Sequence, residues 1–322
     1  MKTKRLMIVD ALNAYYRAYI VDPSLSSNGD PIGGVKGFLK ILQKLMREIQ
    51  PDQVIICWDG AGGSKKRKSI NKNYKEGRSP IRLNREIRNL TENQELLNKV
   101  WQQTRLVEYL NQMPLIQLMF ENVEADDLVA YLLQLGYFDG WQKVVVSSDK
   151  DFIQVLDSET LLYRPTQKEI LNTGRVIDKY GIHPNNFALA RAIAGDKNDN
   201  LDGVRGVGLT TIKNRFPFLG EEHCYNIKDI LSHCKKNVDK FKAYERIAES
   251  KDLIRQNYKL MQLSAPNISA TSKRKTVKTI ENCEFSFNKT EVLKMMNADG
   301  FGDTSWTTMF QIFKRIVVDN KN

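Results

Sequence analysis

Histidine and cysteine, the side chains that most often bind zinc and softer metals, are scarce: the 322 residues include three histidines and four cysteines. The cysteines form no Cys-x-x-Cys pair, which suits a reducing compartment and argues against a disulfide framework. One zinc-like set remains, His223-Cys224 followed by His233-Cys234. Its spacing is unusual for zinc and more typical of residues that flank helices.

Long apolar segments are absent as well. After the basic start Met1–Arg5, only about five apolar-rich residues follow, too few for a signal peptide or a membrane span. We therefore expect a cytoplasmic protein without a membrane partner, and we expect it to be a monomer.

The composition is that of a globular protein, with 41% hydrophobic and 27% charged residues, and the length suits one large domain or roughly two to three smaller ones. Lysine and arginine outnumber aspartate and glutamate by 49 to 38, which gives a formal charge of +11. This excess indicates a polyanionic partner, most simply nucleic acid.

Three short apolar strands are predicted, and each delivers aspartates at its carboxyl end: Leu6–Asp10, Val54–Asp59 and Val144–Asp151. Helical periodicity in Ala11–Tyr19 and Val35–Ile49 separates the first two. Such alternation predicts an α/β fold, a mostly parallel, doubly wound sheet flanked by helices, whose strand ends share one edge. Each acid alone also fits a helix cap or a solvated turn.

A further acidic run, Glu124–Asp127, opens the helix that continues through Leu128–Leu133, where acids commonly act as caps. If the strand order permits, seven carboxylates then meet in one cleft: Asp10, Asp59, Glu124, Asp126, Asp127, Asp149 and Asp151. Like charges at short distance raise one another's pKa, so such a cluster requires cations. Oxygen ligands without histidine or cysteine favour Mg²⁺ or Mn²⁺.

The second strand and the acidic helix are separated by an insertion far longer than a usual connection. Residues 60–90 include two acids and ten basic residues: Lys65, Lys66, Arg67, Lys68, Lys72, Lys75, Arg78, Arg82, Arg85 and Arg88. Such a run is typical of a solvated or disordered segment. The sharper hypothesis is an arm above the cleft, in which Tyr74 stacks on a base while Lys75 and Arg78 contact phosphates.

Two weaker predictions concern elements around this site. A helix near Leu96–Leu110 is expected to use its apolar residues for packing rather than for binding: Leu97, Val100, Trp101, Val107 and Leu110. After Asp151, the sequence predicts a short helix over Phe152–Leu156 and an edge strand over Thr160–Tyr163.

A helix over Phe187–Ala194 and a second one that starts at Leu209 are joined through the glycine turn Gly203–Gly208, which reads Gly-Val-Arg-Gly-Val-Gly. Its glycines allow the backbone to approach a phosphate, toward which the N–H groups of the second helix would point. A plain helical hairpin explains the same pattern.

The end of the chain is less informative. Ser264–Thr279, with the basic run Ser272–Lys275, predicts a basic linker or exposed loop, and Asn288–Ile316 predicts one or two short helices around Gly300–Gly302. We interpret this region as a small helical cap on the core. The alternative is a docking element for a replication partner, such as a sliding clamp or a single-strand-binding protein.

In this order, the motifs resemble those of the 5′ nuclease family, the flap endonucleases and 5′→3′ exonucleases that include the nuclease domain of bacterial DNA polymerase I. Four pieces carry the resemblance: Ile8–Asp10 with Asn13; Trp58-Asp59 with Tyr74–Arg78; Glu124–Asp127 with Ser148–Asp151; and Gly195–Gly208. Together they cover residues 5–215, about two-thirds of the chain, and ordered motifs are more specific than any single one. The chain is most similar to the stand-alone phage enzymes called ribonuclease H.

The resemblance implies a PIN-like core over residues 1–178 that includes a helical arch in 60–123. It further implies a helix-3-turn-helix domain that grips duplex over 179–262, and a linker with a helical cap over 263–322. It also implies a K⁺ ion at the glycine turn.

The resemblance implies two Mg²⁺ ions, with Mn²⁺ as a substitute. The implied ligands of the first ion are Asp10, Asp59, Glu124 and Asp126. The implied ligands of the second are Asp149, Asp151 and Asp199, with Asp127 and Asp196 acting through water.

The resemblance also implies contacts to nucleic acid. Lys75 and Arg78 would contact the scissile phosphate, and Tyr74 would stack near the 5′ end. Further implied contacts are Lys65, Lys66, Arg67, Lys68, Gly203, Gly206, Gly208 and Lys213. Asp202 departs from the family, which often has proline or another uncharged residue there, and its charge is expected to weaken the grip on phosphate.

The implied function is a Mg²⁺-dependent 5′ nuclease of DNA replication that acts on flaps, nicked duplex ends and RNA primers annealed to DNA, in the host cytoplasm if a phage encodes it. The competing hypothesis is a non-catalytic module that binds branched nucleic acid, against which the complete acidic set argues. A toxin-like ribonuclease of related fold would need neither the insertion nor the glycine turn. A phosphatase would carry its nucleophile on the first strand, whereas Asp149-Lys150-Asp151 comes late in the sheet.

Overall fold

A six-stranded sheet organises the protein, of which the computed structural model describes residues 3–87 and 89–320; Arg88 of the predicted arm lies outside them. The strands, in chain order, are β1 (Arg5–Asp10), β2 (Gln53–Cys57), β3 (Ile116–Leu118), β4 (Gln142–Val146), β5 (Thr160–Arg164) and β6 (Glu169–Leu171). They lie in the order β3-β2-β1-β4-β5-β6, and all neighbours are parallel except β5 and β6. The predicted fold class is confirmed.

The described residues form fourteen α-helices: α1 (Ala11–Val21), α2 (Gly33–Ile49), α3 (Lys65–Ile70), α4 (Glu92–Asn111), α5 (Ala125–Leu133), α6 (Thr173–Tyr180), α7 (Pro184–Ala194), α8 (Leu209–Arg215), α9 (Ile227–Lys236), α10 (Lys242–Glu249), α11 (Lys251–Met261), α12 (Ala270–Glu281), α13 (Lys289–Ala298) and α14 (Thr307–Asp319). Short 3-10 turns cover Gly136–Phe138, Asp151–Val155, Lys197–Asp199, Pro217–Gly220 and Val238–Lys240. None of the described helices has the length and apolar character needed to cross a bilayer.

Local signals in the sequence explain several helix boundaries. Helix α4 begins with a capping box, in which Thr91 and Gln94 bond each other's backbone N–H. Pro184 occupies the first turn of α7, where its missing N–H would have no helical partner. Helix α2 ends as Gln50 adopts a left-handed φ of 52°, directly before Pro51.

Alternation along the central strands divides the apolar core into two layers. In β1, Leu6 and Ile8 face one layer, while Met7 and Val9 face the other. The first layer includes residues of α5 and α7, and the second includes residues of α1, α2, α4 and α14. Helices therefore cover both faces of the sheet, so the strand ends are where polar groups gather.

Strands β3 and β6 have no counterpart among the sequence predictions. Each has three residues, too few for an alternation of apolar and polar residues to be recognised. The predicted strand over Thr160–Tyr163 is present as β5, but its predicted place at the edge is wrong, because β6 pairs with β5 and forms that edge. Since β3 lies within the predicted arch insertion 60–123, only part of that insertion is available to cover the cleft.

Helix α4 packs on the core with only part of the predicted face: Leu110 is buried and Val107 contacts the same core layer, as expected. Leu97, Val100 and Trp101 are 66%, 55% and 43% exposed. The buried residues of the helix are Gln102, Leu106, Tyr109 and Leu110. The hydroxyl groups of Tyr15 and Tyr19 in α1 donate hydrogen bonds to α4 carbonyl oxygens at 2.7 and 3.2 Å. These polar contacts help to set the rotation of the helix, which apolar periodicity predicts at Val107 and Leu110 but not in the first half of the helix.

The C-terminal region is more helical than predicted. Ala270–Glu281, which begins inside the expected linker Ser264–Thr279 and extends past its end, forms α12, with Thr276 and Ile280 buried. Helices α13 and α14 lie where the sequence predicts one or two short helices, and their apolar residues join the layer that contains α2. An ion pair of 2.8 Å between Arg105 of α4 and Asp299 also links this region to the core.

Candidate active site

A cleft of about 420 Å³ opens at the carboxyl ends of β1, β2 and β4, which are neighbours in the sheet. Five carboxylates line it: Asp10, Asp59, Glu124, Asp126 and Asp149. The strand order, which the sequence left open, thus brings together acids from three predicted strand ends, and the start of α5 adds two more. Parallel sheets bind ligands at this edge.

Hydrogen bonds fix the two aspartates at the ends of β1 and β2. The Oδ1 atom of Asp10 accepts a hydrogen bond from the Asn13 N–H at 3.2 Å, and this bond caps α1. The Oδ2 atom accepts a hydrogen bond from Ser147 Oγ at 2.9 Å. Asp59 accepts from the Ala125 N–H at 2.7 Å, which joins the end of β2 to the start of α5. Asp10 is therefore both a helix cap and a lining residue of the cleft.

A second acidic group adjoins the cleft in a depression of about 510 Å³ beside α7. Carboxylate oxygens of Asp151, Asp196 and Asp199 lie within 4.8 Å of one another, close enough to share a metal ion. Asp149 lines both spaces, and its Oδ1 accepts from the Asp151 N–H at 2.9 Å. The two acidic groups are therefore continuous.

Burial and mutual repulsion make this set of carboxylates unfavourable by itself. Burial raises the pKa of Asp10 and of Asp59, and the neighbouring Asp126 raises both further. Burial also raises the pKa of Asp149 to about 6, and burial with repulsion from Asp149 raises that of Asp151. A divalent cation would relieve this repulsion, and a ligand set made of oxygens alone fits Mg²⁺ or Mn²⁺.

The insertion reaches across both acidic groups through two cations. Lys75 Nζ lies 2.6 Å from Glu124 Oε1 at the first group, and Arg78 pairs with Asp199 at the second. The Lys75 N–H also donates to the carbonyl oxygen of Asp199 at 2.9 Å. This arrangement supports the predicted arm above the cleft and gives it a defined position.

Tyr74, Arg67 and Asp127, all predicted to act at the site, line neither the cleft nor the depression at the second group. Tyr74 is 3% exposed and packs in a small apolar cluster that includes Leu260, so its ring has no free face for a base. Arg67 is buried, pairs with Glu124 and Asp127, and donates to the carbonyl oxygen of Leu260 at 3.0 Å. Asp127, 1% exposed, lines neither the cleft nor the depression at the second group. These three residues instead tie the insertion to α5 and α11.

The glycine turn uses its three glycines differently. A Cβ at Gly203 would lie 2.0 Å from the carbonyl oxygen of Ala194, so this glycine is needed for packing against the end of α7 and faces the protein. Gly206 has a left-handed φ of +75°. Gly208, before α8, has open space around its Cα, as a close approach of a phosphate requires. Asp202, next to Gly203, is exposed.

Other predicted contacts lie on the surface. Lys65, Lys66 and Lys68 are exposed on α3, and Lys66 donates to Asn267 Oδ1 at 2.6 Å. Lys213 is exposed on α8, and its side chain lies over Gly181. The possible zinc set is not assembled: within residues 3–87 and 89–320, the grouped metal-type ligands are the three aspartates, without His or Cys.

Sequence reasoning missed Arg191. This buried side chain of α7 lies 3.1 Å from Asp151 Oδ1 and also pairs with Asp196. An arginine inside an ordinary helical segment does not by itself indicate a site residue. The separation of Arg191 and Asp196, at positions i and i+5, is also too common in sequences to predict a contact. The role of Asn13 was missed as well: its Oδ1 accepts from the Ser148 N–H at 3.0 Å and holds the ends of β1 and β4 together.

Comparison with known proteins agrees with this geometry. A family model described as the 5′-3′ exonuclease N-terminal, resolvase-like domain matches residues 5–181. The chain belongs to the 5′-3′ exonuclease family. This nuclease is 31% identical to a 5′-3′ exonuclease of Aquifex aeolicus, over 81% of the chain and 82% of the relative. It is 28% identical to the DNA polymerase I of Caldicellulosiruptor bescii, over 77% of the chain but 28% of the polymerase.

Solved structures share the fold of this nuclease along nearly its whole length. A flap endonuclease of bacteriophage T5, crystallised with DNA and metal ions, superposes with a TM-score of 0.64 at 18% identity and covers 99% of the chain and 100% of that protein. The T5 5′-exonuclease with bound zinc gives a TM-score of 0.63 at 19% identity, with coverage of 98% and 99%. The recognition of a 5′ nuclease is confirmed, and the protein is a hydrolase of this class.

Proposed function

We propose that this nuclease hydrolyses phosphodiester bonds near 5′ ends during DNA replication, at flaps and nicks in DNA and in RNA primers annealed to DNA. One observation supports this most strongly: two acidic groups meet at Asp149, and Lys75 and Arg78 lie against them. The relatives named 5′-3′ exonucleases, and the T5 flap endonuclease crystallised with DNA, support the choice of substrate.

Two Mg²⁺ ions are the cofactors we propose. The first would be held by Asp10, Asp59, Glu124 and Asp126, and the second by Asp149, Asp151, Asp196 and Asp199. When bound, such a pair lowers the pKa of a water molecule and stabilises charge on the attacking and leaving oxygens. The raised pKa values of these buried carboxylates support the assignment, because cations would compensate the charges that now repel one another.

The cations of the insertion would act on the substrate. Lys75 and Arg78, each within reach of one acidic group, would bind the scissile phosphate and stabilise the negative charge that grows on it during hydrolysis. They also offset the repulsion between an acidic cleft and a polyanion. Asp127, Arg67 and Tyr74 have structural roles in this scheme.

The glycine turn and α8 would hold the duplex, beside the second acidic group and α7. Open space at Gly208 and the left-handed turn at Gly206 would let backbone N–H groups approach a phosphate, with a K⁺ ion as the bridge. Lys213 adds a positive charge to α8.

The test is cleavage of a 5′-labelled flap substrate and a 5′-labelled RNA–DNA hybrid, each with Mg²⁺ or EDTA. We expect short 5′ products that depend on Mg²⁺, and we expect Asp149→Asn/Asp151→Asn to bind substrate without cutting it. Asp139→Asn/Asp178→Asn, at exposed acids outside the cleft, is the matched control and should cut like the parent protein. Tight, salt-sensitive binding without cleavage by the parent protein would favour a non-catalytic binding module instead.

A further inference from the structure

Helix α12 has a dense positive charge that the active site does not use. Its cations are Lys273, Arg274, Lys275 and Lys278, and its one acid, Glu281, is the last residue. Thr276 and Ile280 are buried against the core, which turns Arg274, Lys275 and Lys278 to the surface. Helix α12 therefore presents a fixed array of positive charges to solvent, which an irregular linker would not.

The segment before α12 lies beside the active-site helix. The Asn267 N–H donates to Asp127 Oδ1 in the first turn of α5 at 2.8 Å. Further along, Lys273 Nζ lies 5.2 Å from the ring centroid of Tyr131, one turn later in α5. Helix α12 therefore follows α5 away from the end that supplies Glu124 to the cleft.

Exposed lysines continue from α12 to the insertion. Lys66 of α3 and Lys259 of α11 line a shallow groove of about 130 Å³ that extends to Asn267, and Lys66 donates to Asn267 Oδ1 at 2.6 Å. We call this array the α3–α12 surface; its exposed cations are Lys65, Lys66, Lys68, Lys259, Arg274, Lys275 and Lys278. It begins at the cleft and leads away from it.

The position of this surface selects one part of a nucleic-acid substrate. The second acidic group and α8, which packs on α6 and α7, lie at the α7 end of the cleft, whereas Glu124 and α3 lie at the end formed by β2 and α5. If duplex is held at the α7 end, the strand that leaves at the α3 end is the single-stranded 5′ arm. Seven cations face solvent on this surface, beside the half-buried ring of Tyr131, so the surface fits a phosphate backbone of any sequence.

We propose that the α3–α12 surface binds the phosphates of the single-stranded 5′ arm beyond the bond that is cut. The inference rests on the proposed function, because that function supplies the arm. It extends the nucleic-acid interface to a C-terminal helix outside residues 5–181 that match the exonuclease family model.

The experiment compares two variants with equal changes in charge. Arg274→Ala/Lys275→Ala/Lys278→Ala removes the cationic face of α12. The control removes three exposed lysines of α13 and α14, on the opposite face of the sheet: Lys289→Ala, Lys294→Ala and Lys314→Ala. Both are made in the Asp149→Asn/Asp151→Asn background, and Kd is measured for one duplex with a 5′ arm of about 3 or about 20 nucleotides.

For the long arm, we expect the α12 variant to bind on the order of tenfold more weakly, with a salt dependence of log K reduced by about 2, as for three lost single-strand phosphate contacts. For the short arm, we expect the α12 variant to lose less than about twofold in affinity. The control variant should have the Kd of its parent for both arms. Melting temperatures check that each variant is folded, and Lys275→Glu alone should act in the same direction.

The proposal would be overturned if the α12 variant lost the same factor in affinity for both arms, or if it lost no affinity. A loss of affinity that grows with the length of the duplex would also overturn it. Unchanged nucleic-acid binding together with lost binding of polyglutamate would assign the surface to an acidic protein partner and would likewise overturn it. Cleavage of the short-arm substrate by the parent protein is measured separately. A parent protein that does not cut contradicts the proposed function, while the arm-length comparison still decides this inference.

Discussion

Lys75 and Arg78 lie against carboxylates to which the proposed function assigns the metal ions. Lys75 Nζ is 2.6 Å from Glu124 Oε1, and Arg78 pairs with Asp199. Because charge on the phosphate grows between these groups during hydrolysis, the two cations should stabilise the transition state more than bound substrate. We expect Lys75→Ala or Arg78→Ala to slow single-turnover cleavage of a flap by about 100-fold or more.

The matched binding measurement separates this role from simple attraction. Kd for the same flap should change by less than about threefold in both variants. Lys72→Ala, at an exposed lysine in the same insertion, should change neither quantity. If affinity falls by the same factor as the rate, Lys75 and Arg78 act through ground-state binding and the proposed role is incorrect.

Arg191 is a cation at the second acidic group, and its role there can be tested in the same way. Arg191 is 8% exposed, and its guanidinium contacts Asp151 Oδ1 at 3.1 Å and pairs with Asp196. The positive charge lowers the pKa of Asp151 against the effect of burial. Arg191→Met leaves these carboxylates without their cation. In EDTA near neutral pH we expect the free energy of unfolding to fall by about 3 kcal/mol, as for a buried pair that loses one partner.

Urea unfolding with and without Mg²⁺ tells whether Arg191 acts through its charge. A divalent ion at Asp151 and Asp196 would replace the missing positive charge, so Mg²⁺ should restore part of the loss. Arg191→Lys, which keeps the charge, should lose less than Arg191→Met. An equal loss in EDTA and in Mg²⁺ would mean that Arg191 only fills space in α7.

At the scale of elements, the glycine turn offers a matched pair of substitutions. A Cβ at Gly203 would lie 2.0 Å from the Ala194 carbonyl oxygen, whereas one at Gly208 would meet open space. Gly203→Ala should therefore lower the free energy of unfolding by about 2 kcal/mol or more through overpacking. Gly208→Ala should keep stability within about 0.5 kcal/mol but weaken duplex binding, because its methyl group occupies the space that a phosphate needs.

Thermal unfolding and Kd for a duplex without flaps distinguish the two effects. The result that would contradict this division of roles is normal stability with weakened binding in Gly203→Ala, or lost stability with normal binding in Gly208→Ala.

The elements that the sequence predicts well are those with long, regular periodicity. Ala11–Val21 and Gly33–Ile49 are helices as expected, and the apolar strands β1, β2 and β4 lie within a few residues of their predicted positions. Strands β3 and β6 are too short to show a period. The rotation of α4 depends on hydrogen bonds from Tyr15 and Tyr19, whose sequence positions are about 80 residues earlier, and no local pattern records such contacts.

For the whole molecule, the sequence predicts the acids of the cleft better than the residues around them. A parallel sheet places strand ends at one edge whatever the strand order, so Asp10, Asp59 and Asp149 could be placed at that edge from the sequence, and the order β2-β1-β4 then brings them into one cleft. Arg67 and Tyr74 sit in a basic, exposed-looking segment, yet both contact α11, nearly 200 residues away. Their burial depends on that long-range packing, which spacing along the chain does not encode.

The stability of the whole protein should respond to pH through the same carboxylates. Burial raises the folded-state pKa of Asp149 from 3.8 to about 6, and it also raises that of Asp10 and Asp151. The folded protein therefore binds protons more tightly than the unfolded chain between these values. In EDTA, this contribution makes the free energy of unfolding fall as the pH rises from about 4 to about 7, by roughly 2 kcal/mol for Asp149 alone.

Divalent ions should reverse the direction of this dependence. Mg²⁺ binds the deprotonated carboxylates of the folded chain, and a concentration about 100 times Kd adds about 3 kcal/mol near neutral pH, where protons no longer compete. Unfolding in urea across this pH range, with Mg²⁺ or EDTA, measures both effects. In Asp149→Asn the EDTA slope should flatten and the gain from Mg²⁺ should shrink, whereas Asp139→Asn, at an exposed acid, should leave both intact. If Mg²⁺ stabilises the parent protein and Asp149→Asn equally, the ions bind outside the cleft. Asp149, which joins the two acidic groups, then has no role in binding the ions.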